Sequence, residues 1–307
     1  MSISLSTLPL AAQAEFDRIG PIWGSDIQKH RDIVLAAYDP ILAKAPKDGV
    51  TITRDHAYGS HPRQVLDLYQ PTLAAKATKA KPAPVVIFMH GGAFIRGDKR
   101  ASNEVYDNVL IWCARHGYVG VNLEFRLAPE AVYPAGADDL ASSIAWVKTN
   151  IARFGGDAQT IFVIGHSAGG THVGTYAYDP GAGYLGRDLA GIVLISARLR
   201  ADVSDENPNA SAVRAYFGND ESLYETRSPL AHAGSSTLPV FLVNAEFENP
   251  LLDLYGLECA HRIAVAHRRA PRFMWLPRHN HVSIVAHINS GEDLLGNAML
   301  EFFEMRR

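Results

Sequence analysis

Phe162-Val163-Ile164-Gly165-His166-Ser167-Ala168-Gly169-Gly170 joins an apolar, strand-like run that begins at Thr160 to a helix-compatible stretch of small residues. Its centre, Gly-His-Ser-Ala-Gly, has the G-x-S-x-G spacing of a nucleophile elbow. The spacing has a steric cause. A serine on a sharp strand-to-helix turn takes strained dihedrals, and the positions two residues either side crowd the adjoining strand and helix. Glycine-sized residues at 165 and 169 free that turn to push the Ser167 hydroxyl out of the sheet. The helix that follows aims its N-terminal amides at the same point, where negative charge on a reacting oxygen would be stabilised.

Outward from this stretch, the pattern is one of alternation. Val85–Met89, Tyr118–Leu123, Gly191–Ser196 and Pro239–Asn244 are continuous apolar runs of the kind buried on both faces of a parallel sheet. Helical segments are expected between them, near Ala101–His116, Ala137–Arg153 and Leu252–Arg269, with a strand at Pro271–Leu276 and a closing helix at Glu292–Arg307. Two further extended segments, Val50–Ala57 and Val65–Tyr69, flank a Tyr58-Gly59-Ser60-His61-Pro62 turn, and a Lys/Ala/Pro-rich connection spans Thr72–Pro84. The pattern predicts an α/β fold with a mainly parallel sheet of about eight strands and helices on both faces. Residues 1–48 read as a helical leader, with Ser25-Asp26 capping a segment from Ile27 to Ala45 that Pro40 interrupts, and form a candidate lid. Residues 49–307 form the catalytic domain, and the polar, irregular 197–236 insertion, with a short helix near Ala210–Phe217, is a second part of the lid.

Composition narrows the function classes. A chain of 307 residues with 47% apolar and 20% charged content can bury the core of a soluble enzyme. A formal net charge of −3 gives no reason to expect nucleic acid or an anionic membrane as partner, and no apolar run approaches the roughly 20 residues of a membrane span. Cys113 and Cys259 both lie in helix-like segments and read as reduced thiols, and Met1–Ala14 lacks the basic start of a signal peptide, so a cytoplasmic setting is expected.

A serine nucleophile needs a base, an acid that orients the base, and donors for the oxyanion. His90-Gly91-Gly92-Ala93 follows a buried strand, and its small residues let backbone N–H groups of Gly92 and Ala93 approach a substrate oxygen, with the Ala168 N–H beside the nucleophile. For the acid, Glu246, Glu248 and Asp253 compete in the loop after Asn244. Glu248 is preferred at the strand's end, Glu246 precedes it by the strand period, and Asp253 suits a helix cap. For the base, His281 is preferred over His279 in Arg278-His279-Asn280-His281, and His287 reads as a helix-surface residue. No cofactor or metal is expected, because the histidines lack ligand spacing such as H-E-x-x-H.

These residues resemble the hormone-sensitive-lipase-like branch of the α/β-hydrolases, the bacterial and archaeal carboxylesterases. The similarity covers roughly residues 55–305 and rests on His90-Gly91-Gly92-Ala93, the elbow at 165–169, Phe125-Arg126-Leu127-Ala128-Pro129-Glu130, Tyr133-Pro134-Ala135 and Asp138-Asp139. Tyr58-Gly59, Leu66-Asp67-Leu68-Tyr69 and Gly97-Asp98-Lys99 also resemble feruloyl-esterase and arylformamidase-like relatives. The resemblance implies an α/β-hydrolase fold and acyl transfer from a small-molecule ester to water through Ser167, His281 and Glu248. An arylformamidase-like amide hydrolase and a ligand-binding homologue without turnover are the alternatives. The chain departs from the family at Ala93, where a third glycine is usual, and at Asn249, where the family places an aspartate before Pro-Leu; counting forward from Ala245 puts Glu248 on the acid position with one residue inserted. Arg126, Glu130, Asp138 and Asp139 read as scaffold. Phe94, Trp23, Tyr216 and Phe217 are candidates for an apolar pocket, and the exposed face of the closing helix could support a homodimer.

Overall fold

The computed structural model describes residues 4–72 and 81–306; most of the Lys/Ala/Pro-rich connection and Arg307 lie outside them. A leader of two helices, α1 (Leu10–Ile19) and α2 (Ile27–Lys44), precedes the strands β1 (Val50–Ala57), β2 (Val65–Pro71) and β3 (Ala83–Met89). Then follow α3 (Asp107–Arg115), β4 (Val119–Leu123), α4 (Ala135–Asn150), β5 (Gly156–His166), α5 (Ala168–Tyr178) and β6 (Gly191–Ile195). Two short helices, α6 (Ala210–Phe217) and α7 (Tyr224–Arg227), fill the insertion. The chain closes with β7 (Val240–Phe247), α8 (Leu252–His267), β8 (Arg272–Asn280), α9 (Ser283–Ala286) and α10 (Leu294–Glu304).

The eight strands form one sheet in the order β1-β2-β4-β3-β5-β6-β7-β8. β1 and β2 are antiparallel to their neighbours, and every pairing from β4 to β8 is parallel. The two-residue side-chain period splits each apolar run between two cores. Val86, Phe88, Phe162, Ile164, Val193 and Ile195 face the layer of α1, α2, α3, α9 and α10. Val85, Ile87, Ile161, Val163, Ile192 and Leu194 face α4, α5 and α8. Burial on both faces is why these runs carry no polar alternation. Because the central strands are parallel, all their C-terminal ends open on one edge, where side chains can converge. No described helix is long and apolar enough to cross a membrane.

Several boundaries differ from the sequence reading. The helix expected from Ala101 starts only at Asp107: Ser102 Oγ accepts from the amides of Glu104 and Val105, and Tyr106 sits at φ +86°, a conformation no helix contains. The closing helix starts at Leu294, because Glu292 is buried and accepts the Leu5 amide at 2.9 Å. β7 and β8 run beyond their apolar cores to Phe247 and Asn280. Their polar ends are the ones that reach the serine. As expected, Asp26 caps α2 by accepting the Lys29 amide at 3.2 Å; against expectation, Pro40 does not interrupt that helix, which continues through it to Lys44.

Candidate active site

Ser167 stands between β5 and α5 at φ +55°, ψ −120°, outside every well an L-residue prefers. Its own backbone holds it there. The Ser167 amide donates to Ile195 O at 3.0 Å, and its carbonyl accepts from the Gly170 amide at 3.0 Å and the Arg198 amide at 3.2 Å. The two glycines serve the turn as the sequence suggested. A Cβ at position 169 would lie 2.3 Å from Met89 O, and one at 165 would lie 2.7 Å from Gly170 Cα. Both obstacles are backbone, which no rotamer change moves.

The histidine and the acid come from the ends of adjacent parallel strands. The His281 amide donates to Phe247 O at 3.0 Å, tying the loop after β8 to the end of β7. His281 Nε2 lies 3.0 Å from Ser167 Oγ, and His281 Nδ1 lies 2.8 Å from Glu248 Oε2. A carboxylate only accepts, so Nδ1 carries the ring hydrogen and Nε2 offers its lone pair to the serine hydroxyl. The other carboxylate oxygen, Glu248 Oε1, accepts from Ser196 Oγ at 2.5 Å and from the Ala245 amide at 2.8 Å. Both side chains are buried, so this alignment is shielded from competing water.

The competing candidates lie elsewhere. Glu246 is exposed and accepts the Arg278 amide at 2.6 Å. Asp253 is exposed on the first turn of α8. His279 is fully buried, with Nδ1 3.1 Å from Ser283 Oγ and Nε2 2.9 Å from Glu292 Oε1, and burial pulls its pKa down to about 3. His287 corrects the sequence reading: it is completely buried rather than on a helix surface, because Nδ1 donates to Ser283 O and the ring packs on His279 with centroids 4.4 Å apart. His279, His287 and Glu292 are close enough to share an ion, but the carboxylate is already used by His279 and the Leu5 amide. Asn249 accepts from Trp23 Nε1 at 2.8 Å and so ties the leader to the acid-bearing loop.

The loop after β3 has three consecutive residues at positive φ: Gly92 (+146°), Ala93 (+49°) and Phe94 (+70°). A Cβ at 92 would lie 1.8 Å from Arg96 O, so glycine is required there. The loop is anchored from beneath. His90 Nε2 meets Glu124 Oε1 at 3.0 Å, Glu124 Oε2 accepts the Lys99 amide at 2.9 Å, and Arg63 pairs with the same carboxylate. Burial by itself would raise the Glu124 carboxyl, but the His90 bond and charge, the Lys99 amide and Arg63 hold it below its ordinary value. Gly92, Ala93, Ser167, Ala168 and His281 line one cavity of about 320 Å³.

Several residues that shape this cavity carried no sequence signal. His166 lies beside the base, with ring centroids 4.9 Å apart; its Nε2 donates to His281 O at 2.9 Å and its Nδ1 meets Tyr106 Oη at 3.1 Å. Burial first, and then the neighbouring His281, push its pKa well below the ordinary histidine value, so it positions His281 without adding charge. Ile27, Gln28 and Arg31 of α2 line the cavity, as do Arg198 and Asn209 of the insertion. Of the four aromatic candidates, Phe94 lines it. Tyr216 stacks on Phe94 at 4.8 Å and packs with Phe217 in a small cluster behind it, while Trp23 is buried in the larger core. Arg126 forks onto Asp139, Asp138 accepts from Tyr184, and Glu130 meets His61, which is a scaffold arrangement.

Comparison with known proteins adds a partial family match and a fold to this geometry. A family model described as BD-FAE matches residues 66–180. The solved esterase B of Lactobacillus rhamnosis superposes with a TM-score of 0.72 over 92% of this chain and 94% of that one, at 19% identity. The chain has the α/β-hydrolase fold. Among curated proteins it is similar to esterase LipC of Mycobacterium tuberculosis, 38% identical over 113 residues, which is 37% of this chain and 26% of that protein. It is also similar to the gibberellin receptor GID1 of Oryza sativa subsp. japonica, 34% identical over 167 residues, or 50% and 46% of the two chains. The chain thus spans about a quarter of the first relative's length and less than half of the second's.

Proposed function

We propose that this α/β-hydrolase cleaves carboxylic esters through an acyl-enzyme on Ser167. The observation that carries the reading is the unbroken chain from Ser167 Oγ to His281 at 3.0 Å and from His281 to Glu248 at 2.8 Å. As Oγ attacks the ester carbonyl, its proton passes to His281 Nε2, and the imidazolium so formed is stabilised by Glu248. The oxyanion is received by the N–H groups of Gly92, Ala93 and Ala168, in a cavity that keeps these donors effective. His281 then gives its proton to the leaving alcohol, activates a water, and the acyl group is released. The leader over residues 1–48 and the 197–236 insertion act as walls of the cleft and set which acyl and alcohol groups enter. Two buried, unpaired thiols, Cys113 and Cys259, suit a cytoplasmic setting.

The test is hydrolysis of short p-nitrophenyl esters together with labelling by an organophosphate, read by mass spectrometry at Ser167. Turnover and labelling, both absent in Ser167→Ala, are expected; absence of both in the parent protein overturns the reading. Likeness to a receptor supports a second reading, a small-ligand binder without turnover. It predicts tight ligand binding with an unreactive serine, whereas the aligned base at 281 favours chemistry. Matched ester, anilide and formamide substrates separate an esterase from an amidase.

A further inference from the structure

Buried Lys99 and the partly exposed Arg126 and Arg54 are tightly partnered. Lys99 bonds Asp55 and lies 2.9 Å from Asp67, Arg126 forks onto Asp139, and Arg54 bonds Asp67 and Asp107. Arg198 departs from this pattern. It is 4% exposed, yet neither Nη1 nor Nη2 has a hydrogen-bond partner among the described residues. The facing carboxylate oxygen, Asp202 Oδ2, is 3.9 Å from Nη1, a loose ion pair beyond hydrogen-bond distance, and among the described residues it has no hydrogen-bond partner. Desolvating a guanidinium without such bonds is unfavourable, and burial accordingly lowers its pKa against the opposing pull of Tyr255 and Asp202.

The position of this side chain gives the imbalance a use. The Arg198 amide donates to Ser167 O, and the Arg198 carbonyl accepts from Thr171 Oγ1, so its Cα is fixed against the nucleophile's turn. Arg198 is among the residues that line the same cavity as Ser167 and His281. Setting the histidines aside, the charged residues of that cavity are Arg31, Arg96, Arg100, Arg198 and one acid, Asp98. The cleft is therefore cationic in a chain of net charge −3. Both terminal nitrogens are turned from solvent, and neither is held by a hydrogen bond among the described residues, Asp202 at 3.9 Å being the facing carboxylate.

We infer that Arg198 is the anchor of an anion subsite, and that the preferred substrates are esters carrying a free carboxylate close to the scissile carbonyl. The inference rests on the esterase reading for its turnover. A carboxylate matches the planar guanidinium fork through two charge-assisted bonds, which a neutral ester of the same shape cannot make. Arg198 on this account is a specificity residue that positions substrate and takes no part in proton transfer.

The test compares p-nitrophenyl hydrogen glutarate with its methyl ester, which is similar in shape and neutral, and a parallel pair carries the carboxylate on the leaving group. The first pair reads an acyl-side subsite and the second an alcohol-side one. In the parent protein one charged ester should have the higher kcat/KM, by about tenfold to a hundredfold, the worth of hydrogen bonds to a charged group. Arg198→Met should erase that ratio chiefly through KM, and Arg198→Lys, which keeps charge and loses the fork, should retain part of it. No preference in the parent for either charged ester, or a ratio unmoved in both variants, overturns the proposal. Glutarate binding to Ser167→Ala, measured by calorimetry, guards against confusion of the two hypotheses. Binding that is lost in Ser167→Ala/Arg198→Lys supports the subsite even if no ester is turned over, and no binding counts against it. Circular-dichroism melting identifies a variant that has merely unfolded; if Arg198→Met is one, the lysine variants decide.

Discussion

Replacing Glu248 with glutamine changes one atom and should nearly abolish turnover, for a reason written in the hydrogen bonds around it. Ala245 N–H can only donate, and it holds Oε1 at 2.8 Å beside the Ser196 hydroxyl. An amide in the same space must keep its oxygen there, which turns its NH2 toward His281 Nδ1, now 2.8 Å from Oε2. Nδ1 is then obliged to accept, the ring hydrogen moves to Nε2, and the base presents a donor to Ser167 Oγ. A histidine locked in the wrong tautomer by an Asp-to-Asn change costs about 10⁴ in kcat, or about 5 kcal/mol of barrier. Glu248→Gln should therefore lose about that factor in kcat with KM little changed and stability within about 1 kcal/mol, since shape is preserved. Glu248→Asp keeps the charge but cannot reach both the Ala245 amide and Nδ1, and a misplacement of this size costs on the order of 10²-fold. Glu246→Gln, exposed and bonded only to the Arg278 amide, should stay within about twofold, as surface changes do. The assay is p-nitrophenyl ester hydrolysis with a melting curve for each variant. Full activity in Glu248→Gln, or loss in Glu246→Gln, would refute the tautomer argument.

Two other perturbations follow from the same geometry. Gly169→Ala would place a Cβ 2.3 Å from Met89 O and 2.5 Å from His90 O, which should cost about 3 kcal/mol or more and most of the activity, whereas Gly24→Ala, whose nearest neighbour would be 3.6 Å away, should shift stability by no more than about 0.5 kcal/mol; equal melting temperatures for the two would contradict this. His166 and His172 are fully buried, and burial lowers both, His172 to about 3, so the unfolded chain, with histidines near 6.5, binds protons that the folded chain refuses. Stability should fall as pH drops below about 6.5, by roughly 1 kcal/mol per histidine between pH 6.5 and 5.5. His172→Gln should flatten that slope, and a melting temperature equal at pH 7 and 5.5 would exclude the effect.

What could be read in advance was what depends on local sterics and on burial. Gly165 and Gly169 are obligatory because backbone lies where their side chains would be, and the apolar runs of β3 to β6 mark strands because both faces are covered. Apolar runs fail as a guide where strands become functional. β7 continues through Asn244, Ala245 and Glu246, and β8 through Arg278 and His279, since the chain ends carrying polar groups to the serine cannot also look like core. His287 departs from its reading for a related reason: an imidazole in a short helical stretch suggests surface until the Ser283 carbonyl that holds its Nδ1 is seen. The Tyr106–His166 contact joins residues 60 apart in sequence and the His166–His281 contact residues 115 apart, and neither leaves a periodic trace. Arg198 likewise reads as an ordinary polar residue until its lack of partners is visible.

Thirteen histidines could in principle supply a base, and the reason only one suits the role lies in what the others are already holding. His90 spends both ring nitrogens, on Gly91 O and Glu124. His166 spends both as well, on Tyr106 and on the carbonyl of His281, and His279 is held by Ser283 and Glu292. Each of these rings is fixed from two sides, so none can exchange a proton with substrate without breaking a structural bond. His279 has the same kinds of partner, the Glu292 carboxylate and the Ser283 hydroxyl, but is not among the residues that line the cavity, whereas His281 lines it with a carboxylate on one nitrogen and the Ser167 hydroxyl on the other. The hydroxyl belongs to a residue held at φ +55° by three backbone bonds. Strain at Ser167 and saturation of the neighbouring imidazoles therefore act together: the first aims the nucleophile, and the second leaves a single direction in which its proton can go.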